Sequence, residues 1–334
     1  MMLRQKMPYE SCYYGVQKMK EGFLMEISML LTMQICKLFL ILLLGFLLVK
    51  TGKLRTSDSK CISVILVYLI LPCVIINSFQ IEYTPQVRNG LLYTLAASVA
   101  AHIIFILIAA ITRKPLNLNV IEQLTVIYTN GGILVVPLIK ALLGDEYVIY
   151  SCSFIVVQMI LIWTHCCHML CRDERLQWKK ILLNINVISI LAGALLFFTK
   201  VRLPEVPRET INMLADMIGP MGMLLAGMAI SETPFKDVFA RIRNYIPVIL
   251  RLIVCPLVIL LIIRISGAVR WIPDGKNILL TVYIACITPA CATVTSLAQL
   301  YDKDAAYSSI LYVLTTACSI LTMPLMILLY SLWI

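Results

Sequence analysis

The chain has 334 residues, of which 60% are apolar and 14% charged, with a mean hydropathy of +0.91. A soluble domain carries about 25% charge, so the composition excludes a soluble fold and points to an integral membrane protein. The net charge of +10 sits in short segments between apolar runs, where it orients a chain in a bilayer and requires no nucleic acid.

Residues 1–23 are polar, mixed in charge and without the apolar core of a signal peptide. Met25-Glu26-Ile27 directly precedes the first apolar run. Residues 1–27 are therefore read as a dispensable extension, with Met25 as the native start. Ten apolar runs follow, at about 28–50, 61–80, 89–112, 121–143, 146–171, 181–199, 209–231, 245–267, 277–300 and 306–332. They do not alternate, so they predict helices rather than barrel strands. The expected fold is an all-α polytopic membrane protein with ten transmembrane helices. Of twelve cysteines, only Cys12 lies clearly outside the runs or their edges, which predicts small apolar cysteines and no disulfide framework.

Ionisable residues inside runs are costly and are site candidates by default. Lys37 in the first run is read as snorkelling to the interface. His102, near the middle of the third, is read as a neutral histidine bonded to a neighbouring helix, with a proton relay as the alternative.

The fourth run carries Thr129-Asn-Gly-Gly-Ile-Leu-Val-Val-Pro-Leu138 at its centre. Pro137 removes a donor and frees carbonyls upstream. Gly131 and Gly132 let the backbone unwind, and Asn130 offers donors and an acceptor. A helix broken here presents free N–H groups and partial positive charge at mid-membrane, suited to a carboxylate. The alternative is a kinked helix with glycine packing.

In the fifth run, His165-Cys166-Cys167-His168-x-x-Cys171 has feasible helical spacings but no single ligand face, so no metal site is expected. Asp216 in the seventh lies one turn before Pro220 and is a candidate for binding a proton, a sodium ion or a basic partner, with an interfacial carboxylate as the equal alternative. Arg251 lies about 10 Å into the eighth run, at 1.5 Å per residue. Snorkelling is the favoured reading for it, with pairing to Asp216 or attraction of an anion as alternatives. The ninth run is interrupted at Thr288-Pro289. Two interrupted spans in corresponding halves of a membrane protein point to a transport site.

Spacing supports such halves. Gly45 and Pro72 lie 27 residues apart, as do Gly193 and Pro220, and the offset between the pairs is 148; Pro137 and Pro289 differ by 152. Each repeat, at 28–171 and 181–334 around a cytoplasmic linker at 172–180, then holds five spans. An odd number makes the repeats inverted. Loops after odd-numbered runs hold fourteen Lys and Arg against eight after even-numbered runs, which predicts both termini outside. No hydrolase, zinc-protease or Walker motif is present, and no cofactor is implied.

Thr129-Asn130-x-Gly132-x-x-x-x-Pro137-Leu138 resembles the fourth-span motif of the auxin efflux carrier family, which includes plant PIN carriers and bacterial organic-acid permeases. Leu71-Pro72 with Ile75-Ile76-Asn77-Ser78-Phe79 resembles its second span. Ala285-x-x-x-Pro289-Ala290, with Leu297-Ala298-x-x-Tyr301-Asp302-x-Asp304, resembles its ninth. Thr315-Thr316-x-x-Ser319-Ile320-Leu321-Thr322-x-Pro324-Leu325 resembles its tenth. The resemblance covers about residues 28–330. It implies a ten-helix, two-repeat fold whose broken spans four and nine cross at the substrate site, and an elevator-like, dimeric carrier with spans one, two, six and seven as scaffold. The family often has glycine where this chain has Val135, which shifts the expected break toward Gly131-Gly132.

The resulting expectation is a secondary carrier of a small organic anion in the cell membrane. Asn130, Gly131, Gly132, Thr288 and Pro289 would contact substrate. Pro72, Pro137, Pro220 and Pro289 would break the helices. Asp216, Arg251 and His102 are the charge or coupling candidates. Membrane potential or protons would drive transport. A sodium-coupled carrier like the bile-acid symporters is an alternative; a sensor would need an output domain that the short loops lack, and an intramembrane enzyme would need paired catalytic groups.

Overall fold

The structure is a computed structural model that describes residues 33–34, 36–132, 134–171, 183–231, 239 and 241–334. The expected extension at 1–27 and linker at 172–180 lie outside the described residues. Among those described, the chain is helical, and its single β-type feature is an isolated bridge between Thr129 and Ala290.

In chain order the helices are α1 (36–50), α2 (Ser59–Ser78), α3 (Pro85–Arg113), α4 (Val120–Ile127), α5 (Val135–Leu142), α6 (Asp145–Leu170), α7 (Ile185–Phe198), α8 (Glu205–Ile230), α9 (Ile242–Ser266), α10 (Gly275–Ile287), α11 (Ala292–Leu300) and α12 (Ala305–Trp333). Six of them, α2, α3, α6, α8, α9 and α12, are each long and apolar enough to cross a membrane. The pairs α4–α5 and α10–α11 are short helices on either side of non-helical segments, in the fourth and ninth apolar runs.

Local chemistry sets the starts. α3 begins at Pro85 rather than at the expected 89. The Thr84 hydroxyl accepts from the Val87 amide at 3.1 Å, and Pro85 occupies a first-turn position that needs no N–H. α4 opens with a reciprocal cap: Asn119 accepts from the Glu122 amide at 2.9 Å, and Glu122 accepts from the Asn119 amide at 2.7 Å. Asp304 caps α12 through the Tyr307 amide at 2.9 Å.

Small residues let helices approach. A Cβ on Gly45 of α1 would land on the Leu224 carbonyl of α8, and one on Gly227 of α8 would land on the Leu42 carbonyl of α1. A Cβ on Gly193 of α7 would strike the ring of Phe79, just past the end of α2. Without a hydrophobic force between helices in lipid, such close backbone approach supplies the packing. α10 is deeply enclosed: Ile278 to Ile287 are all buried, between α3, α6, α9 and α12.

Pro72 does not interrupt its helix. α2 contains a π-helical turn, Leu66–Ile70, two residues ahead of it, and α9 has another, Leu250–Val254, two residues ahead of Pro256. The wider turn has room for the proline ring and the bond that proline cannot donate, so the helix continues. Pro220 follows a turn at Met217 and lies in the first turn of the helical segment Ile218–Ile230, within α8.

Candidate functional site

The two interruptions meet. Tyr128 and Thr288 leave their helices with extended backbone (φ −96°, ψ 132° and φ −69°, ψ 155°). The Asn130 amide donates to the Pro289 carbonyl at 2.8 Å, and the Cys291 amide donates to the Tyr128 carbonyl at 3.1 Å. This is a two-bond antiparallel pairing between segments about 160 residues apart in sequence. It satisfies backbone groups that could not be left bare inside a bilayer.

The outward-facing groups of Thr129 are taken by Gln158 of α6. Gln158 Oε1 accepts from the Thr129 amide (3.0 Å) and hydroxyl (2.9 Å), and Nε2 donates to its carbonyl (2.8 Å). On the other strand, the Ala290 amide donates to the Thr315 hydroxyl of α12 at 3.2 Å. Thr129, Gln158, Thr288, Ala290 and Thr315 are all buried.

Arg251 lies in the π-turn of α9, and its placement corrects the snorkelling expectation. It is 0% exposed. Its guanidinium donates to the Val126 carbonyl (2.9 Å), the Thr288 carbonyl (3.3 Å) and the Cys286 carbonyl, and lies 4.6 Å from the centroid of the Phe105 ring. Converging carbonyls hold it inside because a guanidinium that has three acceptors and an aromatic face loses less on leaving water. It does not pair with Asp216.

Asp216 instead binds Lys140 of α5 at 2.8 Å, and Lys140 also reaches Asp145 at 3.0 Å. The Asp216 side chain is 58% exposed, which places it at the edge of the protein interior rather than deep within it. Pro137, Lys140, Asp216 and Pro220 line one cavity of about 430 Å3, together with Gln34 and Lys37. Pro137 lies in the first turn of α5, so the backbone departs from helix upstream of it, at residues 128–132 and 134 among those described. In that position its missing N–H costs no ladder bond, and the unwinding falls on Gly131-Gly132. His102 Nδ1 donates to the Ser98 carbonyl of its own helix at 2.8 Å, and the ring packs on Phe154 of α6 at 4.5 Å between centroids.

Asn130 is 4% exposed, and its side-chain amide makes no hydrogen bond among the described residues. A Cβ on Gly131 would press on Thr129 and Phe154, whereas one on Gly132 would meet no atom within 4 Å. The crossing thus brings together Asn130, Gly131, Gly132, Thr288, Pro289 and Arg251. His102 lies beside it, packed on Phe154 of the same helix as Gln158, while Pro72, Pro137, Asp216 and Pro220 lie elsewhere.

Two groups were not singled out from sequence. Gln158 interrupts the apolar run of α6, a visible signal whose partner is 29 residues away. Glu122 stands near the start of the fourth run and is fully buried. It accepts from Arg243 Nε (3.2 Å) and Nη2 (3.1 Å) and from the Tyr307 hydroxyl (2.9 Å), fastening the starts of α4, α9 and α12. Asp216 is therefore not the deepest carboxylate of the apolar runs. His165 donates to or accepts from the Tyr128 hydroxyl at 2.9 Å, which ties α6 to the residue before Thr129.

A family profile described as membrane transport protein matches the chain twice, over residues 30–177 and 172–327. The chain belongs to this family, the auxin efflux carriers. It is a multi-pass membrane transporter, as other members of a transporter family are. No curated protein sequence matches the chain significantly.

Proposed function

We propose that this auxin efflux carrier family member is a secondary carrier of a small organic anion, with its substrate site at the crossing of the α4–α5 and α10–α11 segments. The observation that carries this reading is the Asn130 side chain, 4% exposed and making no side-chain hydrogen bond among the described residues, beside open space at Gly132. The amide of this side chain is not sealed off, so a polar ligand entering that space can bond it in place of water. The second half-helices α5 and α11 begin at the same crossing, and their N-terminal ends favour negative charge.

The wider architecture follows. Counting the two split pairs as one span each, α1 to α12 give ten spans in two five-span repeats. The reciprocal glycine contacts, Gly45 of α1 on α8 and Gly193 of α7 on the end of α2, are what inverted repeats would produce. We read α3–α6 and α9–α12 as the part that moves in elevator fashion against α1, α2, α7 and α8. We further read the carrier as a homodimer in the cell membrane with both termini outside, driven by potential or protons.

Uptake of labelled organic acids into proteoliposomes tests the reading. Asn130→Ala is expected to lower uptake by about tenfold or more while leaving the melting temperature within a few degrees. Wild-type uptake in that variant would take Asn130 out of the site; binding without flux in the wild type would make the protein a sensor.

A further inference from the structure

Two half-helices end at one place. α4 finishes at Ile127 and α10 at Ile287, and both run toward the crossing. The unpaired carbonyls of a helix C-terminus carry about −0.5 of an elementary charge, so two such ends bring about one negative charge to one point inside the membrane. In carriers with broken spans, that is where a coupling cation is coordinated, by unwound carbonyls and helix C-termini.

Arg251 occupies this point. Its three acceptors are the Val126 carbonyl of α4, the Cys286 carbonyl of α10 and the Thr288 carbonyl just past it. Among the described residues no carboxylate lies within ion-pair distance of it. A guanidinium does not lose its proton in a protein, so this positive charge is permanent.

We propose that Arg251 is the resident cation of the crossing. It takes the position that a sodium ion would otherwise fill, so transport needs no sodium. The charges then add simply. The two C-terminal ends and Arg251 cancel, which leaves the N-terminal ends of α5 and α11 with about one positive charge between them. Asn130 adds neutral donors on the same crossing. Such a site accepts a singly charged anion, a monocarboxylate, in preference to a dicarboxylate. This inference rests on the crossing being the substrate site.

The test uses the full-length purified protein and two readouts. The first is thermal melting in sodium chloride against choline chloride, which needs no flux. The wild type and Arg251→Lys, which keeps the cation, are expected to melt alike in both salts. Arg251→Ser, which bares the carbonyls, is expected to gain a melting shift that grows with sodium concentration. The second readout is proteoliposome uptake of labelled benzoate and malate at neutral pH, where the wild type is expected to favour benzoate by about tenfold or more. A sodium-dependent shift in the wild type or in Arg251→Lys overturns the proposal, as does a folded Arg251→Ser that shows no shift, and as does malate preference. If Arg251→Ser does not fold, the sodium response of the wild type and Arg251→Lys still decides. Absence of flux for every acid, with the melting pattern as expected, would count against the transport reading while leaving the resident cation in place.

Discussion

Single side chains at the crossing act by completing backbone bonding. Gln158 offers Thr129 both an acceptor and a donor, as a neighbouring strand would. Gln158→Glu keeps the acceptor but loses the donor unless its carboxyl is protonated. Uptake by this variant is expected to fall by about tenfold at neutral pH, since an unmet buried group costs about 1–3 kcal/mol. It should recover as pH falls toward the carboxylic acid range, because the protonated carboxyl of the variant again donates to the Thr129 carbonyl. Gln158→Leu should stay inactive throughout. A pH profile of Gln158→Glu parallel to that of the wild type would remove the donor role. Asn130 and Arg251 were both visible in the sequence as polar residues inside apolar runs. Their roles were legible to different degrees. An amide side chain beside two glycines inside an apolar run already suggests a ligand. A lone arginine does not reveal whether it reaches outward to headgroups or inward to carbonyls, because that depends on which helix faces it.

At the scale of elements, the break in the fourth run is set by glycine rather than proline. Residues 128–132 and 134 leave the helix, and Pro137 comes after α5 has begun. Pro137→Ala is therefore expected to leave uptake within about twofold of the wild type, because a first-turn proline removes no ladder bond. Gly132→Leu, by contrast, fills the open space beside the crossing and is expected to abolish uptake with little loss of thermal stability. Equal losses in the two variants, measured as initial uptake rates, would return the break to Pro137. The helix positions themselves followed from run length and composition. The start of α3 at Pro85 was also written locally, in a Thr-Pro pair that lies just ahead of the apolar run and so escapes a boundary drawn from hydropathy. The π-turns ahead of Pro72 and Pro256 have no comparable local signature. A third π-turn, Ile162–Cys166 in α6, has no proline after it, and Pro324 lies inside α12 without one.

On the scale of the whole molecule, Lys140 links α5 to α8 through Asp216, across the boundary between the parts read as moving and fixed. The pair is partly exposed, so its net worth in stability is about 0–1 kcal/mol. Its effect belongs to rate instead. Lys140→Asp is expected to alter the maximal uptake rate by severalfold with melting little changed, and the swapped pair Lys140→Asp with Asp216→Lys to restore it. A double-mutant cycle with no coupling energy would show that this contact does not hold one state. Sequence alone determined the membrane class, the helical content, the two interruptions and the family resemblance, because each is written in composition, run length or short-range spacing. Only tertiary structure decided that the interruptions pair with each other, that Gln158 serves Thr129, that Glu122 fastens three helix starts and that Arg251 points inward. Those four outcomes depend on contacts between residues 29 to 185 positions apart. No local pattern encodes such contacts, since they are chosen by which buried backbone groups remain to be satisfied once the helices have packed.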